Sequence, residues 1–104
     1  MNTTQLKKLD FNDPFDLEDY IIVDVRTSTE FFHGHIKGAK NIPFEKIDDW
    51  LGLLEEWGRP VIVCADWECT SKRACKKLVI RGVEAIDGGN WVDLEKKLAK
   101  NNLL

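Results

Sequence analysis

Three short, almost uninterrupted apolar runs constrain this chain more than anything else in it: Tyr20-Ile21-Ile22-Val23-Asp24-Val25, Pro60-Val61-Ile62-Val63-Cys64, and Val83 to Ile86. Runs this short, without apolar–polar alternation, suit strands buried on both faces, as in a parallel sheet. Between them lie segments of helical character. Thr27 with Glu30 forms a capping-box pattern that opens a short helix through Phe31 and Phe32, ended by Gly34. Ile47, Trp50, Leu51 and Leu54 share one helical face, with Gly58 and Pro60 as stop signals. Ser71 to Arg81 reads as a helix with Ala74, Cys75 and Leu78 on one face and Gly82 as terminator. Trp91, Leu94 and Leu98 line a last helix.

Smaller signals complete the outline. Asn41-Ile42-Pro43 allows a brief strand limited by its proline. Gly88-Gly89 predicts a tight turn after the third apolar run, and Asp13-Pro14 a short helix before the first. The expected class is therefore α/β, a small parallel β-sheet flanked by helices on both faces through right-handed crossovers. At 104 residues the chain supports a single domain over 1–104.

Composition narrows the function classes. A net charge of -3, without a basic cluster interleaved with aromatics, argues against nucleic acid as a partner. No apolar stretch approaches bilayer length, so no membrane association is expected. The N-terminal residues lack the apolar core of a signal peptide. Three cysteines cannot all pair within one chain, and the natural expectation is a reducing, cytoplasmic setting that leaves thiols free for chemistry.

Cys64 stands out among those thiols. It ends the second apolar run and opens the segment Ala65-Asp66-Trp67-Glu68-Cys69-Thr70-Ser71, which leads into a helix. A thiol at a strand's C-terminal end, facing a helix N-terminus, is placed to be nucleophilic. Loop N–H groups and the helix dipole would lower its pKa from an ordinary value of roughly 8.5. Chemistry in parallel sheets collects at this end of the strands.

The motifs around it resemble the rhodanese family. Asp24-Val25-Arg26 followed by Glu30-Phe31 looks like that family's first signature, and Gly34-His35-Ile36-Lys37-Gly38-Ala39-Lys40-Asn41-Ile42-Pro43 like its second. The strand ending in Cys64 resembles the active-site strand. Arg81-Gly82-Val83 and Asp87-Gly88-Gly89 with Trp91 resemble the closing elements. The likeness covers roughly residues 20 to 98 and implies a single rhodanese domain. It further implies a sulfurtransferase in which Cys64 takes sulfane sulfur from thiosulfate or a persulfide carrier and passes it to a thiol or cyanide. No metal or cofactor is implied. Residues 65–71 would cradle the substrate, and Asp24, Arg26 and His35 would hold the sheet and its loops by hydrogen bonds.

Several residues depart from that pattern. Common rhodaneses have a six-residue loop with a glycine near its middle and an arginine near its end. Here Trp67 or Glu68 stands for the glycine and Cys69 or Thr70 for the arginine. Counted back from Leu78 and Gly82, the loop after Cys64 is one residue longer, as in related arsenate reductases and cell-cycle phosphatases. Those relatives need an arginine where this chain has Thr70, so neither activity is expected. Asp66 and Glu68 would repel thiosulfate, partly offset by Lys72 and Arg73.

Cys69 is a candidate resolving thiol, able in principle to attack a Cys64 persulfide and close a disulfide. Cys75 reads as a small core residue. The resemblance sets aside a hydrolase triad of Cys64, His35 and Asp24, since it gives Asp24, Arg26 and His35 structural roles, and a zinc site from His33, His35, Cys64 and Cys69 lacks the usual paired spacing. Trp50 and Trp91 read as core, Trp57 as a helix-end contact, and Trp67 as a wall of the pocket or a cover over Cys64. The leading expectation is an enzyme. The alternatives are a non-catalytic rhodanese-like module that binds a protein partner and a thiol redox protein using Cys64 and Cys69.

Overall fold

The computed structural model describes residues 7–9, 11 and 16–104. The helix expected at Asp13-Pro14 lies outside the described residues. The chain forms a five-stranded sheet of β1 (Lys7–Lys8), β2 (Ile21–Asp24), β3 (Lys40–Asn41), β4 (Val61–Ala65) and β5 (Ala85–Asn90). Every pairing is parallel and the spatial order is β1-β5-β4-β2-β3. The helices are α1 (Ser28–His33), α2 (Ile47–Trp57), α3 (Glu68–Ile80) and α4 (Trp91–Lys100). Short 3-10 turns cover Leu17–Asp19 and Phe44–Lys46.

The sheet separates two apolar clusters, and alternation along each strand assigns residues between them. On one side Val23, Val61, Val63 and Ala65 pack with Ile47 and Leu54 of α2 and Ala74, Cys75 and Leu78 of α3. On the other Ile22, Ile62 and Cys64 pack with Ile36 and with Leu94 and Leu98 of α4. The central strands are buried from end to end, which is why their sequences show continuous apolar runs.

Local sequence sets the helix ends. Both hydrogen bonds of the Thr27–Glu30 capping box form at the start of α1. Gly58 ends α2 in the left-handed region at φ 67°, a conformation glycine adopts without a Cβ penalty. Asn90 caps α4 by accepting the N–H groups of Val92 and Asp93.

Two local expectations are corrected. The Gly88-Gly89 pair lies inside β5, where the register with β4 passes from Val63↔Asp87 to Cys64↔Gly89. Gly88 is thus a bulge residue, and the bulge carries β5 onward to Asn90 and the α4 cap. A Cβ at Gly88 would stand 2.8 Å from the Val63 carbonyl oxygen and 2.9 Å from Ile62 Cγ2, so close backbone approach requires glycine there. The second correction is at α3, which begins at Glu68 and not at Ser71. Trp67 occupies its N-cap without a capping side chain; packing against β5 extends the helix where the local signal is weak.

Candidate active site

The C-terminal ends of β2 and β4 frame a crevice of about 230 Å³ against the start of α3, lined by Val25, Arg26, Phe44, Ala65, Asp66 and Trp67 among others. Its back wall is a buried ion pair. The Arg26 guanidinium donates through Nε and Nη2 to the Asp24 carboxylate, with the shortest bond 2.8 Å. Arg26 Nη2 also donates to the Gly34 carbonyl at 2.6 Å and Nη1 to that of Glu30 at 3.4 Å. The guanidinium lies 4.3 Å over the Trp91 ring. Asn41 Nδ2 donates to the carbonyls of Asp24 and Arg26, tying this loop to β3. Asp24 and Arg26 are buried, and every donor of this set has a partner, so a charge can reside here at low cost.

His35 is exposed. Its Nδ1–H donates to the Phe31 carbonyl at 2.7 Å, and its ring stacks on Phe31 with centroids 3.8 Å apart. It braces the turn after α1 and belongs to no triad with Cys64.

The thiols lie apart from one another. Cys64 exposes none of its surface and packs with Ile36, Ile62, Leu94 and Leu98 on the α4 side of the sheet. Burial pushes its thiol pKa far above the ordinary range, the charge of Asp24 adds to the effect, and Arg26 opposes it. The expected thiolate facing a helix N-terminus is therefore corrected: α3 packs on the opposite side of the sheet. Cys69 is exposed in the first turn of α3. The arrangement thus does not bring the proposed resolving thiol to Cys64. Cys75 is buried in the α2/α3 cluster, as its helical spacing suggested, and burial raises its pKa to about 12.

The residue at the strand end that faces the crevice is Ala65. It is the last residue of β4, followed only by Asp66 and Trp67 before α3. Of the seven residues expected to form a cradle, Ala65 belongs to the strand and Glu68, Cys69, Thr70 and Ser71 to the helix. The apparent extra residue arises from counting at Cys64. Counted from Ala65, six residues run to Ser71. Ser71 itself is buried and donates to Asp87 Oδ1 at 2.6 Å, binding α3 to the β5 bulge.

Asp66 and Trp67 give the crevice its character. Partial burial and then the neighbouring Glu30 raise the Asp66 pKa, while Arg26 and the Trp91 indole oppose the rise. Glu30 is held below the usual carboxylate range, first by its bond to Thr27. Trp67 is 71% exposed, so it neither enters a core nor shields Cys64. Trp50 and Trp57 are half-buried and meet at 6.4 Å beside the α2 cluster. Trp91 is half-buried against the α4 cluster. Its part in holding Arg26 and Asp66 escaped sequence reasoning, although the Asp87-Gly88-Gly89 and Trp91 motif pointed to that end of the sheet.

A parallel sheet with its loops gathered at one end, an Asp–Arg pair behind a crevice and a strand running into a helix there define a rhodanese-type site. The family model of the rhodanese-like domain matches residues 5–91, and the chain belongs to that family. A thiosulfate sulfurtransferase GlpE from Shewanella oneidensis is 34% identical over 71 residues, which cover 65% of this chain and 69% of that one. A crystal structure of a rhodanese-like domain protein from Staphylococcus aureus is similar with a TM-score of 0.65 at 26% identity, covering 73% of this chain and 74% of that chain. The fold also matches a rhodanese-related protein from Thermoplasma volcanium with a TM-score of 0.71 at 21% identity, covering 88% and 91%.

Proposed function

We propose that this chain is a rhodanese-like binding module that uses the crevice at the strand ends to hold a partner and does not carry sulfur on Cys64. The observation that carries this reading is the parity of β4: Cys64 points into the α4 cluster, and the floor of the crevice is the methyl group of Ala65. A persulfide needs a thiolate within reach of a donor. Cys64 has neither access nor a stabilised anion. Among the described residues lining the crevice, the cation is Arg26, and it is committed to Asp24 and to two carbonyls. Three carboxylates, Glu30, Glu45 and Asp66, line the same space and oppose an anionic donor such as thiosulfate.

The likeness to a thiosulfate sulfurtransferase favours a second reading, sulfur transfer through Cys64, which requires the end of β4 to open. One measurement separates the two. The protein is incubated with thiosulfate and, separately, with glutathione persulfide, and its intact mass is recorded. The binding module gains no sulfur that depends on Cys64. A gain of one sulfur atom that is lost in Cys64→Ser and retained in Cys69→Ser establishes the sulfurtransferase.

A further inference from the structure

Resting on the binding-module reading, we infer that the crevice receives an arginine side chain from a basic segment of a partner protein. Three features of the pocket carry this choice. First, its rim is acidic, with Glu30, Glu45 and Asp66 around an opening of about 230 Å³. Second, Arg26, the one cation among the described lining residues, is spent: it lies 3.9 Å from Asp66 but makes its close contacts with Asp24 and the Gly34 carbonyl. Third, Trp67 holds a large ring at the edge of the same opening with 71% of its surface in water. An exposed tryptophan beside a concave pocket is the kind of side chain that anchors interfaces when a partner covers it.

Charge and shape together select the ligand. Among the described residues that line it, an anion meets three carboxylates and no uncommitted cation. An apolar side chain would fill the floor over Ala65 but leave the carboxylates desolvated and unpaired, which is costly. A guanidinium answers both surfaces, because its planar fork pairs with two carboxylates while its face stacks on an indole. The protein already uses this arrangement internally, with Arg26 bonded to Asp24 and lying over Trp91. Outside the lining, Arg73 and Lys77 of α3 both stand 5.2 Å from the centre of the Phe44 ring, where Arg73 is held in a cation–π contact. Lys77 is paired with Asp48 at 3.4 Å, so it does not neutralise the rim.

The test is a titration of the uniformly nitrogen-15-labelled full chain with the peptide Gly-Arg-Arg-Gly, followed by two-dimensional NMR. The peptide Gly-Glu-Glu-Gly and sodium sulfate serve as comparison probes. The inference expects shifts at Asp66, Trp67 including its indole N–H, Thr27 and Thr70 with the arginine peptide alone. Glu30→Gln keeps an oxygen for the α1 cap, and with Asp66→Asn it is expected to weaken binding, each by about threefold. Glu55→Gln on α2 is expected to leave affinity unchanged. Binding that fails to appear at these residues overturns the inference, as does binding that ignores both crevice variants or a preference for sulfate. Failure is kept distinct from that of the parent reading by the sulfur-loading experiment. Cys64-dependent sulfur uptake overturns the binding module, whereas absent peptide binding with no sulfur uptake overturns only the arginine assignment.

Discussion

Two faces of one strand hold the lesson of this molecule. On the α4 face, Cys64 is sealed among Ile36, Ile62, Leu94 and Leu98, and burial raises its thiol pKa. On the α3 face, one residue further on, Ala65 is also buried, but it lies beneath a crevice edged by carboxylates. The dry face holds a thiol, and the crevice face holds an alanine methyl in its place. Position on a strand therefore matters less than the side to which alternation turns a residue.

The largest effect should come from moving the thiol across that divide. In a Cys69→Ser background, Ala65→Cys is expected to be alkylated by iodoacetamide at neutral pH at least about a hundredfold faster than the native Cys64. The added sulfur would extend from the strand into the crevice, whereas that of Cys64 stays in the α4 cluster, and access and thiolate fraction control reactivity. Mass spectrometry of the labelled peptide gives the rates, and equal rates would erase the contrast.

Next in size is the pair that supports both faces from behind. Asp24→Ala leaves the buried Arg26 guanidinium without its carboxylate and is expected to cost about 3–5 kcal/mol in urea unfolding. A cost below about 1 kcal/mol would mean that Arg26 reaches water more readily than its burial indicates.

Cys64→Ser probes the dry face alone. A hydroxyl in that apolar cluster should destabilise the fold by about 1–3 kcal/mol, whereas Cys69→Ser on the exposed first turn should change stability by less than about 0.5 kcal/mol. Equal costs would break the comparison.

The smallest expected effect is a pH dependence. The folded-state pKa values of Cys64 and Cys75 are raised, so the native state holds both protons more tightly than the unfolded chain does. That contribution is complete below the unfolded thiol pKa of roughly 8.5 and is lost as pH rises above it. At pH 9.5 each thiol should have removed about 1 kcal/mol of unfolding free energy. Replacing Cys75 by alanine should flatten the decline measured between neutral pH and pH 9.5.

Much of the architecture was legible. Continuous apolar runs identified β2, β4 and the start of β5, and caps such as Thr27–Glu30 located α1, because these signals act over one or two turns of chain. Asp24 and Arg26 were also legible as a pair, since the loop returns one onto the other over two residues. The site was less so. The extension of β5 past Gly88 depends on contacts with β4 and Leu94 that no local pattern announces. The early start of α3 at Glu68 depends on docking against the sheet. The count from Leu78 and Gly82 did carry a trace of the answer, since its one-residue surplus vanishes when the strand end is placed at Ala65.

The sequence by itself determined that this is a rhodanese-like domain with a parallel sheet, because apolar runs, caps and glycines record local covalent preferences and burial. Only the tertiary structure decided which of Cys64 and Ala65 meets the crevice. That choice depends on where β4 ends and how the Gly88 bulge sets its register with β5, and both follow from packing between segments about twenty residues apart. A shift of one residue along a strand turns a side chain from one face of the sheet to the other, so register decides which side chain the crevice meets.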